Sequence, residues 1–257
     1  DAITLHKIAI RLELEYNRDT YADRPLDNTI MKSRVARLSA IHTDIYHCTQ
    51  CPLHEKRTRT VPGAGDPNAE ILFIGEAPGF HEDQQGLPFV GKSGQYLEEL
   101  LATINLTRDD VFIANVVKCR PPDNRDPSTE EIETCNPYLR AQIEVLDPLM
   151  IVTLGRYSMG MFFPNAKISA IHGKPKYGVN RIYYPLFHPA YALRNQSVKV
   201  DMQADVARIP DLLREMRKKR AEQIAGAGED APAPETVEEE ITLPSESDSP
   251  QQKSLFD

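Results

Sequence analysis

Four cysteines carry the plainest chemistry in this 257-residue chain: Cys48, Cys51, Cys119 and Cys135. Cys48 and Cys51 form a C-x2-C knuckle with Pro52 directly after it, while Cys119 and Cys135 form a wide pair. Four thiolates hold zinc or a [4Fe–4S] cluster, and this spacing admits both. A zinc ribbon normally offers two tight knuckles, so one knuckle plus a wide pair suits a cubane at least as well. The knuckle argues against four unrelated buried thiols, and no secretory signature supports a disulfide framework. A second stretch, GLPFVGKS at 86–93, satisfies the phosphate-loop pattern letter for letter. Such a loop must follow its strand directly, so that its N–H groups face the phosphates at the next helix. Here the apolar run EILFIG ends at Gly75, eleven residues before Gly86, and Glu76, Glu82 and Asp83 in between would repel a triphosphate. The residues that do follow the run, Gly75-Glu76-Ala77-Pro78-Gly79, read as a tight turn at a strand end with Glu76 at its apex.

The elements that must position these residues follow from the hydrophobic pattern. Residues 1–17 and about 28–46 read as helices, joined by a polar linker over 18–27. From Glu70 onward, strands alternate with helices. The strands are EILFIG (70–75), VFIANVVK (111–118), LMIVTLG (149–155) and RIYYPLF (181–187). Helices are expected at 92–104, from Ser128, at RYSMGMFF after Gly155, and over about 200–219. Ser128 with Glu131 three residues later is a capping box. This alternation predicts a parallel sheet covered by helices on both faces, with ligands bound beyond the carboxyl ends of the strands.

The composition, 40% hydrophobic and 26% charged, suffices for one core with residues left over. The net charge of −8 is concentrated at one end. Nine acidic residues and one Lys lie in 226–257, which leaves 29 residues of each sign in 1–225. The total therefore does not exclude a nucleic-acid partner, and the body is not basic enough to demand one. No apolar run is long enough for a membrane span, so a cytoplasmic protein is expected. The expected organisation is a helical extension over 1–46, a catalytic domain over 47–219 and a disordered acidic tail over 220–257.

Together, GEAPG at 75–79, GLPFVGKSG at 86–94, NVVKCRPPDNR at 115–125 and HPAY at 188–191, with the four cysteines, resemble the family 4 (iron–sulfur) uracil-DNA glycosylases. The resemblance spans about 48–216. It implies a three-layer α/β/α sandwich around a small parallel sheet. It also implies a [4Fe–4S] cluster on Cys48, Cys51, Cys119 and Cys135, and removal of uracil from single- or double-stranded DNA. The resemblance makes Phe89 the ring that stacks on the base, with Pro88 and Gly91 holding it in an exposed loop. A carboxamide such as Asn115 can accept from uracil N3–H and donate to O4. The resemblance places His188 at uracil O2, where charge develops as the glycosidic bond breaks. Glu76, Ala77 and Gly79 line the turn; Ala77 stands where related families carry a water-activating Asp, which leaves the general base open. Glu82 matches an acid near the base, where it blocks the thymine methyl group or positions water.

Tyr191, Leu193 and Arg194 form a loop that can enter the minor groove, with Leu193 as wedge and Arg194 on phosphate. Arg57, Arg59, Lys118, Arg120 and Arg125 are further candidates for phosphate contacts. A related family uses a histidine, here matched by His172, to trap the sugar covalently, but carries a basic insertion near its third cysteine that NVVKCRPPDNRDP lacks, so turnover is expected, and no Lys stands at an evident nucleophile position. The tail ends in QQKSLFD, in which Gln252, Leu255 and Phe256 resemble a sliding-clamp docking peptide on a flexible tether. The expected protein is a monomeric, monofunctional glycosylase of base excision repair. Its rivals are a non-catalytic iron–sulfur DNA-binding protein of the same fold and a nucleotide-binding enzyme using GLPFVGKS.

Overall fold

The structure, a computed structural model, describes residues 28–226. The first predicted helix and the docking peptide (Gln252, Leu255, Phe256) lie outside the described residues. In chain order the elements begin with α1 (Asn28–His47), β1 (Ala64–Gly65), β2 (Ile71–Gly75), α2 (Phe80–Gln85), α3 (Lys92–Thr103) and β3 (Phe112–Asn115). They continue with α4 (Thr129–Leu146), β4 (Met150–Leu154), α5 (Arg156–Gly160), α6 (Ile168–Ile171), β5 (Lys176–Tyr177) and β6 (Ile182–Leu186). The last are α7 (Pro189–Ala192), α8 (Gln196–Ala207) and α9 (Ile209–Gly226).

The six strands form one sheet in the order β1-β3-β2-β4-β6-β5. The four inner strands are parallel, and the two-residue edge strands β1 and β5 pair antiparallel. Successive strand residues point to opposite faces. Phe73, Ile113, Val152 and Tyr184 therefore pack with Leu97 and Leu101 of α3, Met202 of α8 and Met216 of α9. Leu72, Ile74, Phe112, Ile151 and Tyr183 pack on the other side with Leu38 of α1 and Ile132, Leu139 and Ile143 of α4. Burying each such side chain contributes about 1.5–3 kcal/mol. The expected three-layer α/β/α sandwich is what forms.

Three boundaries depart from the pattern. VFIANVVK keeps its apolar character to Val117, but the strand stops at Asn115. The N–H groups of Val116 and Val117 still donate to the carbonyls of Gly75 and Glu76, so the chain stays buried after the ladder ends. The predicted helix over 200–219 is two helices, α8 and α9, and the second runs on to Gly226. Pro210 stands at the second residue of α9, where a missing N–H costs nothing, so the break falls just before it. The Ser128 capping box forms: Ser128 Oγ accepts from Glu131 N at 3.2 Å and Glu131 Oε2 accepts from Ser128 N at 2.8 Å.

Candidate active site

The chain reverses direction across the sheet at β2, whose neighbours β3 and β4 follow it in sequence on opposite sides. The crevice beyond the carboxyl end of β2 is therefore the expected ligand site. Gly75 ends β2 and lies beside Asn115, the last residue of β3. A Cβ at Gly75 would stand 2.4 Å from Asn115 Oδ1 and 2.6 Å from the Phe89 ring. The amide and the ring thus meet over a glycine that must have no side chain. His188, two residues beyond β6, joins them, with its ring centroid 5.8 Å from that of Phe89. The structure brings Phe89, Asn115 and His188 into one corner.

GLPFVGKS is not a phosphate loop here. Gly86 closes α2 and Gly91 caps α3, so the segment links two helices instead of following a strand. Phe89 differs from the sequence expectation in another respect: it is buried, at 6% exposure, because its ring packs into the corner instead of standing in solvent. Its backbone is left-handed, with φ 51°. Glu82 explains part of this conformation. Its Oε1 accepts from the N–H groups of Val90 and Gly91, both at 2.9 Å, so this carboxylate grips the loop. The buried Asp83 ties α2 to the preceding segment, accepting from Thr58 N at 2.9 Å.

Asn115 is 1% exposed, and its Oδ1 has no hydrogen-bond partner among the described residues. A buried acceptor left unpaired costs about 1–3 kcal/mol, which a guest with an N–H edge would recover. His188 N-caps α7, its Nδ1 accepting from Ala190 N at 3.2 Å. That bond puts the imidazole proton on Nε2. Burial holds the His188 pKa down at about 4, so the ring is neutral near pH 7. Glu76 is 3% exposed, and burial, reinforced by the Asp126 carboxylate, pushes its pKa up to about 8 against the opposing pull of Arg156. Arg156 in turn pairs with Asp126 and donates to the Tyr157 hydroxyl at 3.0 Å. Ala77 is half-buried and Gly79 buried in the turn beside Glu76. Tyr191 and Leu193 are exposed at α7 and just past it, directly after His188, and Arg194 is exposed beside them.

The four cysteines line one narrow cleft, with Arg57, Lys118 and Tyr138 in the same wall. Burial raises the Cys51 and Cys119 thiols above their usual range and pushes Cys135 up to about 12. Thiolates are tolerable in such a place only against positive charge. Arg57 Nη1 donates to Cys119 Sγ at 3.2 Å and Lys118 N donates to Cys135 Sγ at 3.3 Å. Among the described residues, no group of three or more His, Cys, Asp or Glu side chains closes on one ion. Four cysteine sulfurs lining one pocket, with a guanidinium on one of them, are a donor set that fits an iron–sulfur cluster as well as zinc.

The structure corrects one of the expected phosphate contacts. Lys118 is 1% exposed and donates from Nζ to Asn115 O at 2.8 Å and Gln142 Oε1 at 2.7 Å, so it does not reach a phosphate. Arg57 is turned to Cys119, and the half-exposed Arg125 forms a fork with Glu131 at 2.9 and 2.6 Å. Sequence reasoning missed the roles of Lys118, Asp126 and Arg156, and of Arg108, which donates to the carbonyls of Pro88 and Phe89. A lysine inside an apolar run that ends in Cys was the readable signal for the first; the others carried none.

The Uracil DNA glycosylase superfamily model matches residues 62–231. The chain is 44% identical over 185 residues to a Type-4 uracil-DNA glycosylase of Sulfurisphaera tokodaii, covering 68% of this chain and 84% of that one. It is 42% identical over 184 residues to the Type-4 uracil-DNA glycosylase of Archaeoglobus fulgidus, covering 68% and 92%. It is 43% identical over 170 residues to that of Thermotoga maritima, covering 65% and 88%.

Proposed function

This chain belongs to the uracil DNA glycosylase superfamily, and on that premise we propose that it cleaves the N-glycosidic bond of deoxyuridine in DNA and leaves an abasic site. The observation that carries the reading is the partnerless amide oxygen of Asn115, buried against the Phe89 ring. A uracil flipped from the helix would stack on Phe89. Its N3–H would satisfy Asn115 Oδ1, and its O4 would accept from the Asn115 amide. Cytosine presents the reverse pattern on that edge, so an amide in this orientation would reject it.

In the reaction the C1′–N1 bond breaks and its electron pair leaves with the base. The resulting uracil anion spreads its charge over O2 and O4. The neutral His188 donates Nε2–H toward O2, so the charge meets a fixed dipole. A water oxygen bonds to C1′, and its proton ends on the departing uracil. Glu76 retains its own proton near pH 7, so it holds this water by a hydrogen bond rather than stripping it. Leu193 and Tyr191 stand exposed beside the pocket to fill the gap that the flipped base leaves, with Arg194 on phosphate.

Cys48, Cys51, Cys119 and Cys135 would hold a [4Fe–4S] cluster. When bound, it supplies a cross-link between the C-x2-C segment, the end of β3 and α4.

Incubation with a uracil-containing oligonucleotide followed by alkali tests the proposal. Strand scission is expected only after alkali, and borohydride should trap no protein–DNA adduct. Asn115→Ala and His188→Ala should each lower the rate by at least about tenfold. An intact oligonucleotide would favour a non-catalytic DNA-binding protein, and wild-type rates in both variants would move the pocket elsewhere.

A further inference from the structure

The loop that carries Phe89 is gripped from two sides. Glu82 Oε1 takes the N–H groups of Val90 and Gly91. Arg108, in the short 3-10 turn Arg108–Asp110 that precedes β3, takes the carbonyls. Its Nη1 donates to Phe89 O and its Nη2 to Pro88 O. Glu98 of α3 fixes the same guanidinium from behind, 3.0 Å from Nη1. Gly94 completes the seat: a Cβ there would lie 1.8 Å from Phe89 O, so the first turn of α3 backs directly onto the loop. The residue held by all these contacts is an aromatic at φ 51°, a conformation that bulky side chains avoid. Without external contacts the backbone would relax toward negative φ, and the ring would swing with it.

We propose that Arg108 is a positioning residue for uracil recognition: its fork on the Pro88 and Phe89 carbonyls holds the left-handed backbone that places the Phe89 ring beside Asn115 and His188. A planar guanidinium suits the task because it reaches two neighbouring carbonyls at once, which an ammonium cannot do in a fixed geometry. Arg108 is remote from the reacting atoms and acts only through Phe89. The inference rests on Phe89 being the stacking face proposed above.

A double-mutant cycle tests it on the full chain. Arg108→Ala should lower kcat/KM on a uracil oligonucleotide by about tenfold, the scale of a misplaced binding group. It should weaken inhibition by free uracil by a similar factor. Phe89→Ala should lower both further, and adding Arg108→Ala to it should change neither by more than about twofold. Arg108→Lys keeps the charge beside Glu98 but loses the fork, and should fall between wild type and Arg108→Ala. Its melting temperature should match that of the wild type. Arg108→Ala or Arg108→Lys with wild-type kinetics would overturn the proposal. So would losses that multiply fully with Phe89→Ala, because the arginine would then act on something other than the ring. If Phe89→Ala alone were fully active, the stacking reading would fail first and take this inference with it.

Discussion

Three residues, Val116 to Lys118, separate the base-facing corner from the cysteine pocket, yet the two are built on opposite principles. The corner is held in place by the protein's own groups. The loop carbonyls rest on Arg108, the loop N–H groups on Glu82, and the His188 Nδ1 on Ala190 N. Two of its buried titratable groups are uncharged near pH 7, His188 because burial holds it down at about 4 and Glu76 because burial lifts it to about 8. One buried acceptor, Asn115 Oδ1, is left for a neutral planar ligand. The cysteine pocket is the reverse. Its buried thiols resist ionisation, and two cations, Arg57 and Lys118, stand against them. The first region carries one unmet acceptor; the second carries four thiols set against two cations.

The largest expected effect comes from the second region. Oxidative removal of bound metal with a chelator, or Cys135→Ser, should lower the melting temperature by about 10 °C or more, because binding free energy there is folding free energy. Loss of visible absorbance with an unchanged melt would break the contrast. A smaller effect is expected in the first region. Gly75→Ala forces a methyl group to 2.4 Å from Asn115 Oδ1, so kcat/KM should fall on the order of a hundredfold. Overpacking should cost only about 1–3 kcal/mol of stability. Visible absorbance should stay at the wild-type level; if it falls too, the two regions are not separable.

The smallest effect sharpens the claim that Glu76 is uncharged near pH 7. The folded pKa of Glu76, about 8, lies above its ordinary 4.5, so between those values the folded state binds more protons than the unfolded state. Stability contributed by this group is therefore present at low pH and lost as pH rises toward 8. Glu76→Gln should flatten that slope between pH 5 and 8 in urea unfolding. Parallel slopes for the two proteins would mean that Glu76 is already ionised at neutral pH.

Much of this is legible in the residues themselves. Asn115 stands out as a carboxamide inside one apolar run and His188 as a histidine just past another, and the sheet then places the two strand ends together. The cysteines show by spacing that they belong to one site. Phe89 is conspicuous for its chemistry but not for its burial, because its ring is drawn in by Gly75, a partner fourteen residues away whose only signal is the absence of a side chain. The hydrophobic pattern carries β3 too far because Val116 and Val117 remain buried after the ladder stops. Lys118 reads as a surface cation because its two acceptors are a carbonyl within its own segment and a glutamine on α4. Arg108 has no sequence signal, since a loop arginine that grips backbone looks like any solvated one.

The burial of Lys118 also bears on the fate of the DNA once uracil has gone. Its amine lies three residues past Asn115, near enough in sequence to suggest attack on the aldehyde form of a base-free sugar. Both of its hydrogen bonds run inward, and the nitrogen is walled off from DNA. On the mechanism proposed here the sugar–phosphate chain leaves unbroken, and a separate abasic-site endonuclease must make the nick from which resynthesis begins.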